Sequence, residues 1–227
     1  MRSSNRAAMR IRRALPLTFL VVAAVAATPP LAGGKLAPAK PLAWTDMAGD
    51  ANGFNDQGGA APASPGDTAG PAQYDPADIV GVSFARLDDG KKVLGLTVTM
   101  KLTGAPSQGL LYRVTGAAGN CSTFWFQYSW PTGGPGVATL RHNCVANPDP
   151  TSVGGTTNQA IDGKVVGNSI VWTLLVKDLP PGVKIGSPIS PALGETRAIL
   201  GGPGTPGATV PVIDQTATQT AAYKIGQ

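Results

Sequence analysis

The chain has 227 residues, of which only 14% are charged, with 30 glycines, 21 prolines, two cysteines and one histidine. Its formal charge of +5 comes from 18 Lys and Arg against 13 Asp and Glu, and the five arginines among the first thirteen residues account for all of it. From Thr28 onward the charges balance, with Lys91-Lys92 the only adjacent basic pair, which excludes the phosphate-neutralising surface that nucleic-acid binding needs.

The first 32 residues read as a signal peptide. Arg2, Arg6, Arg10, Arg12 and Arg13 form a positive start, and Leu15 to Ala27 is an uncharged apolar run. Small residues then offer cleavage positions within Ala26 to Ala32. The run falls short of the ~20 apolar residues that cross a bilayer, so the mature form is expected to have no membrane span and to be secreted or held in the cell envelope. In that oxidising setting Cys121 and Cys144, the only cysteines, are expected to form a disulfide.

Residues 33–41 form a Pro/Ala/Gly-rich linker, and a domain is expected over 42–227. It begins at Leu42-Ala43-Trp44-Thr45-Asp46 and passes into a glycine- and proline-rich loop over 51–72. From Ile79 the apolar residues alternate as in strands. Ile79 to Leu87 is expected to set Val80, Val82, Phe84 and Arg86 opposite Ile79, Gly81, Ser83 and Ala85. Asp88-Asp89-Gly90 is a tight turn. Lys92 to Leu102 then places Leu94, Leu96, Val98, Met100 and Leu102 on one face.

A short strand over Leu110 to Val114 is expected to break at Gly116 to Asn120. Cys121 to Trp130 sends Phe124, Phe126 and Tyr128 one way and Trp125 and Gln127 the other, and it pairs with Val137 to Cys144. Ala160 to Val166 and Ser169 to Val176 make a hairpin around Gly167-Asn168. Residues 178–211 are again rich in proline and glycine, and Ala221 to Ile225 supplies a closing strand. No helix and no repeat is expected. The fold class is all-β, an antiparallel β-sandwich of jelly-roll-like type.

Catalysis by hydrolysis needs a nucleophile with a base, or two opposed carboxylates. The chain has a single histidine, His142, and a single glutamate, Glu195. No companion motif accompanies His142, which reads as a solvent-facing or pocket side chain on a strand. Glu195 stands in loop-like sequence without a carboxylate partner. The chain is therefore expected not to be an enzyme.

Two constellations remain. Asp46 and Asp50 flank a glycine turn and Asp78 opens the long strand. The three read equally as ligands of a structural calcium, which takes hard oxygens from adaptable loops, or as Asx-turns and strand caps. Trp125, Tyr128 and Trp130 are the candidate stacking platform for a sugar ring, since flat aromatics offer large contact at low entropy cost. The alternative for them is packing in the core.

The order Trp44-x-Asp46-x-x-Gly49-Asp50, a variable loop, Asp78-Ile79-x-x-Val82 and an alternating strand resembles bacterial exported DOMON-like domains, a group that includes the family 9 carbohydrate-binding modules. The ending Asp214-x-x-Ala217 to Tyr223-Lys224-Ile225-Gly226 is similar to their final strand. The resemblance covers about residues 42–227 and implies a β-sandwich whose first acidic turn can hold calcium. Calcium is the only cofactor it implies here. In its sugar-binding members, aromatic side chains stack on the ligand. The expected function is thus a noncatalytic exported module that binds a carbohydrate or another cell-surface ligand. The alternative is a structural or adhesive envelope protein with no small-molecule site. Relatives that bind haem through methionine and histidine would require His142 to meet Met47 or Met100.

Overall fold

The period-two alternation folds as strands. A computed structural model describes residues 35–46, 51, 75–144, 155–199 and 212–227; the leader lies outside them. The strands are β1 (Leu42–Thr45), β2 (Ile79–Asp88), β3 (Val93–Leu102), β4 (Leu110–Ala118), β5 (Phe124–Trp130), β6 (Val137–His142), β7 (Thr157–Ala160), β8 (Asp162–Val166), β9 (Ser169–Leu175), β10 (Pro188–Ala198), β11 (Val212–Gln215) and β12 (Tyr223–Lys224). One turn of 3-10 helix, Val176–Asp178, follows β9, and no α-helix is present among the described residues.

All pairs are antiparallel and fall into two sheets. Sheet A has the order β1-β2-β3-β9-β8, and sheet B has β11-β10-β4-β5-β6-β7 with β12 also on β10. Since β3 pairs with β9 in one sheet and β4 with β10 in the other, two ribbons run side by side across the sandwich, as in a jelly roll. Ile161 alone separates β7 of sheet B from β8 of sheet A, so the chain turns the corner there. The turn is tight: a Cβ on Gly163 would lie 2.3 Å from that of Ala138.

Local chemistry sets the turns. After β2, the amides of Gly90, Lys91 and Lys92 donate to the carboxylates of Asp88 and Asp89 at 2.8–2.9 Å, and Gly90 takes φ +82°. Side-chain acceptors thereby replace ladder partners that the turn removes. The carboxyls respond. Asp88 is held below the usual carboxylate range first by Arg86, and Asp89 by the amides of Lys92 and Lys91.

The core lies between the sheets. Phe84 of sheet A meets the edge of Phe126 of sheet B at 6.4 Å and stacks on Tyr223 at 5.5 Å. Val98, Met100, Ile170 and Leu174 belong to the same core cluster and are fully buried. Trp172 reaches across from β9, its indole Nε1 donating to the Gln127 carbonyl at 3.0 Å. A buried indole keeps its partner in this way while its rings exclude water. Along the seam where β1 and β2 face β10 and β11, polar ties close the sandwich. Trp44 Nε1 donates to Thr216 Oγ1 (3.1 Å), Ile79 N to Asp214 Oδ2 (2.6 Å) and Thr196 Oγ1 to the Ala77 carbonyl (2.7 Å).

Four expectations are corrected. The β2–β3 register shifts between Ile79 and Gly81, and this bulge turns Ile79 into the core alongside Val82 and Phe84. The third strand does not stop before Gly116; β4 continues to Ala118 because β10 pairs with Gly116 and Ala118. The strand expected over Ala160 to Val166 is split at the Ile161 corner. Finally, the segment 178–211 contains β10, the partner of β4 through most of its length.

The disulfide is present. Cys121 and Cys144 bridge the outer ends of the β5–β6 hairpin, with Cα atoms 4.4 Å apart. Closing that loop is worth about 3 kcal/mol by restriction of the unfolded chain. Replacing both cysteines with serine is therefore expected to lower the free energy of unfolding in urea by about that amount, and an unchanged midpoint would contradict the assignment.

Candidate functional site

Because Phe124, Phe126 and Tyr128 point inward, Trp125 and Gln127 must stand on the outer face of sheet B. Register then fixes their neighbours. Gln215, Glu195, Arg113, Gln127 and Thr139 follow one another directly across five strands. One step along, Trp125 lies opposite Arg141, and Arg141 opposite Asn158. Arg113 of β4 places its guanidinium carbon 4.3 Å from the Trp125 ring centre, and Arg141 of β6 places its own at 5.5 Å. Both lie within cation–π range.

Glu195 organises the charge. One carboxylate oxygen accepts from Arg113, and the other accepts from Arg197 Nη2 at 2.9 Å. The side chains of Glu195 and Arg113 are only 5% and 11% exposed, so this group is a half-desolvated triad rather than a surface pair. Removing one partner of such a pair costs about 3–5 kcal/mol, because the remaining charge stays buried. Burial, and then the charges of Arg197 and Arg141, lower the Arg113 pKa against the upward pull of Glu195. The guanidinium nevertheless stays protonated across the physiological range.

Beside this triad lies a depression of about 290 Å³ on the outer face. Trp125, Arg113, Glu195, Gln215, Ser122 and Thr115 are among its walls. It combines one flat aromatic with amide, hydroxyl and charged groups, the mixture found where a small polar ligand is held.

The aromatic residues singled out by sequence do not meet on one surface. Trp125 stands outside. Tyr128 is buried, and Trp130 packs on the core with its ring perpendicular to that of Tyr128 at 6.2 Å. Their even numbering puts them opposite Trp125. The sequence reading missed Arg113, Arg141 and Glu195 as neighbours of Trp125. The available signal was the presence of arginines inside otherwise uncharged strands.

Among the acidic residues, Asp46 and Asp78 lie at the same end of the β1–β2 ladder, where the Asp46 amide donates to the Val80 carbonyl at 3.2 Å. Asp78 is 2% exposed, and its carboxylate accepts from the Thr103 hydroxyl. It thus ties the start of β2 to the end of β3. Asp50 lies outside the described residues. Among the described residues, no group of three or more His, Cys, Asp or Glu side chains gathers as metal ligands do.

Glu195 is corrected from a loop residue to a strand residue, and two arginines hold it there. His142 is likewise not solvent-facing: it is 6% exposed and points inward from β6, its Nδ1 accepting from the Cys144 amide at 3.3 Å. Met100 is fully buried on β3, and Met47 lies outside the described residues.

Burial lowers the His142 pKa below 6.5. The unfolded chain therefore takes up a proton more readily, and stability must fall as pH drops through the ordinary histidine range. The urea midpoint is expected to decrease from pH 7.5 to 5.0, and by less in His142→Gln. An equal decrease in both proteins would contradict this reading.

No family model, no curated protein and no solved structure matches the chain.

Proposed function

We propose that this protein is a noncatalytic, exported β-sandwich module that binds a carbohydrate of a cell surface or matrix on the outer face of sheet B. The observation that carries this reading is the position of Trp125, an outward-facing tryptophan that walls a depression also lined by Gln215, Ser122 and Thr115. A sugar ring has an apolar face for the indole and hydroxyls for the surrounding polar groups. The disulfide supports export, since such bonds persist in oxidising compartments. The tethering of Glu195 to two arginines supports a noncatalytic role, as it leaves the only glutamate of the chain engaged in structure. The DOMON-like resemblance points to the same class.

A structural calcium held by Asp46, Asp50 and Asp78 belongs to this proposal. Its support is the placement of Asp46 and Asp78 at one end of the β1–β2 ladder; Asp50 lies outside the described residues. Calcium bound there would play no part in sugar recognition.

The test is a panel of immobilised glycans with and without calcium. At least one glycan is expected to bind, and Trp125→Ala is expected to weaken that binding tenfold or more. Trp130→Phe, altered on the opposite face, is expected to leave it unchanged. A folded protein that binds nothing on the panel would favour the structural or adhesive role instead. Chelation is expected to lower the melting temperature, because an ion bound only to the native state stabilises it; no change in millimolar calcium would remove the ion from the account.

A further inference from the structure

The outer face of sheet B carries a surplus of positive charge. Among its strands, the only carboxylates are Glu195 and Asp214. Asp214 is turned toward the seam with sheet A, where it accepts from the Ile79 amide. Glu195 therefore stands alone against Arg113, Arg141 and Arg197. It is also fully used, with both oxygens taken by Arg113 and Arg197.

Arg141 has no share in that carboxylate. Its Nε is shut off from solvent and makes no hydrogen bond among the described residues. Its guanidinium carbon stands 5.5 Å from the Trp125 ring centre, on β6, while the depression borders Trp125 on the side of β4 and β10. An opposite charge placed within about 4–6 Å of such a partly buried guanidinium favours its charged form. Guanidinium presents a planar fork that matches a carboxylate through two parallel hydrogen bonds. Within the protein, Arg113 and Arg197 already hold a carboxylate, one on each oxygen of Glu195.

We propose that the outer face of sheet B selects an acidic glycan, with a uronate residue laid across Trp125 and its carboxylate taken by Arg141. The inference rests on the reading of this face as a sugar site and adds the charge of the sugar. A uronate suits the arrangement because one residue offers both an apolar ring face and a planar carboxylate at its edge. Trp125 receives the first and the neighbouring guanidinium the second. The triad around Glu195 holds Arg113 over the ring.

Calorimetric titration of the full mature chain with an oligogalacturonate, and with the same oligomer reduced at its carboxyl groups, separates the two claims. The acidic oligomer is expected to bind and the reduced one to bind at least tenfold more weakly. Arg141→Gln is expected to lose about tenfold for the acidic oligomer, the worth of one charge-assisted hydrogen bond. Lys101→Gln on β3 of sheet A, which removes the same charge from the other sheet, is expected to lose nothing. Raising the salt from 50 to 500 mM is expected to weaken the acidic complex.

Equal binding of the acidic and reduced oligomers, both lost in Trp125→Ala, would leave the sugar site standing and overturn the charge selection. Binding of a sulfated polysaccharide with none of the uronate would overturn the carboxylate assignment. Failure of every glycan, acidic or neutral, to bind the folded protein would overturn both claims. Circular dichroism of each variant establishes that the sandwich is intact.

Discussion

The inward packing of Phe124, Phe126 and Tyr128 from β5 against sheet A decides the orientation of every other residue in sheet B. Strands alternate with a period of two, so one strand fixed by three buried aromatics fixes its hydrogen-bonded neighbours through register. A slip of one residue would send Trp125 into the core and Phe126 into water. The contact of Phe126 with Phe84, and the indole of Trp172 bonded to the backbone of β5, hold that register from the opposite sheet. The positions of Arg113, Arg141 and Glu195 follow from it.

The outer face differs from an ordinary solvated sheet surface. From Thr28 onward the charges balance, yet Arg113 and Arg141 lie over Trp125 while Arg113 and Arg197 meet Glu195. Glu195 is more deeply buried than most outward residues of a sheet, because Arg113 and Arg197 cover it from both sides. Such a triad adds little net stability compared with apolar packing. It does hold side chains in defined places, which a recognition surface requires. The noncatalytic reading and the acidic-sugar inference both derive from this local arrangement rather than from the fold, since a β-sandwich alone does not specify a function.

The parts of the fold that were legible in the sequence are those with unbroken alternation. β9 buries every second residue, as do β3 from Leu96 onward and β5 from Phe124 to Tyr128, and the hairpin turns at Asp88-Asp89-Gly90 and Gly167-Asn168 carry the residues their backbones need. β10 was hidden because its inward positions hold Ala192, Gly194, Thr196 and Ala198, small residues that give no apolar period. They are small for a reason. A Cβ on Gly194 would lie 2.7 Å from Val82 Cγ2, so the sheets approach too closely there for a larger side chain. Pro188 and Pro191 further disguise the strand, with a register shift between Ile189 and Ala192 accommodating the proline that cannot donate. The site was legible only in part. Parity alone separates Trp125 from Tyr128 and Trp130, and the hairpin with β6 was legible, but Arg113 and Glu195 come from β4 and β10, whose pairing no local pattern encodes.

The central claim is that Trp125 alone among the four tryptophans faces outward at a ligand site. The most direct measurement is the indole N–H region of a nitrogen-15 correlation spectrum during titration with an oligogalacturonate. The signal assigned to Trp125 by substitution is expected to move progressively and saturate, while those of Trp44, Trp130 and Trp172 stay in place. Movement of the Trp130 or Trp172 signal with Trp125 unmoved would contradict the account.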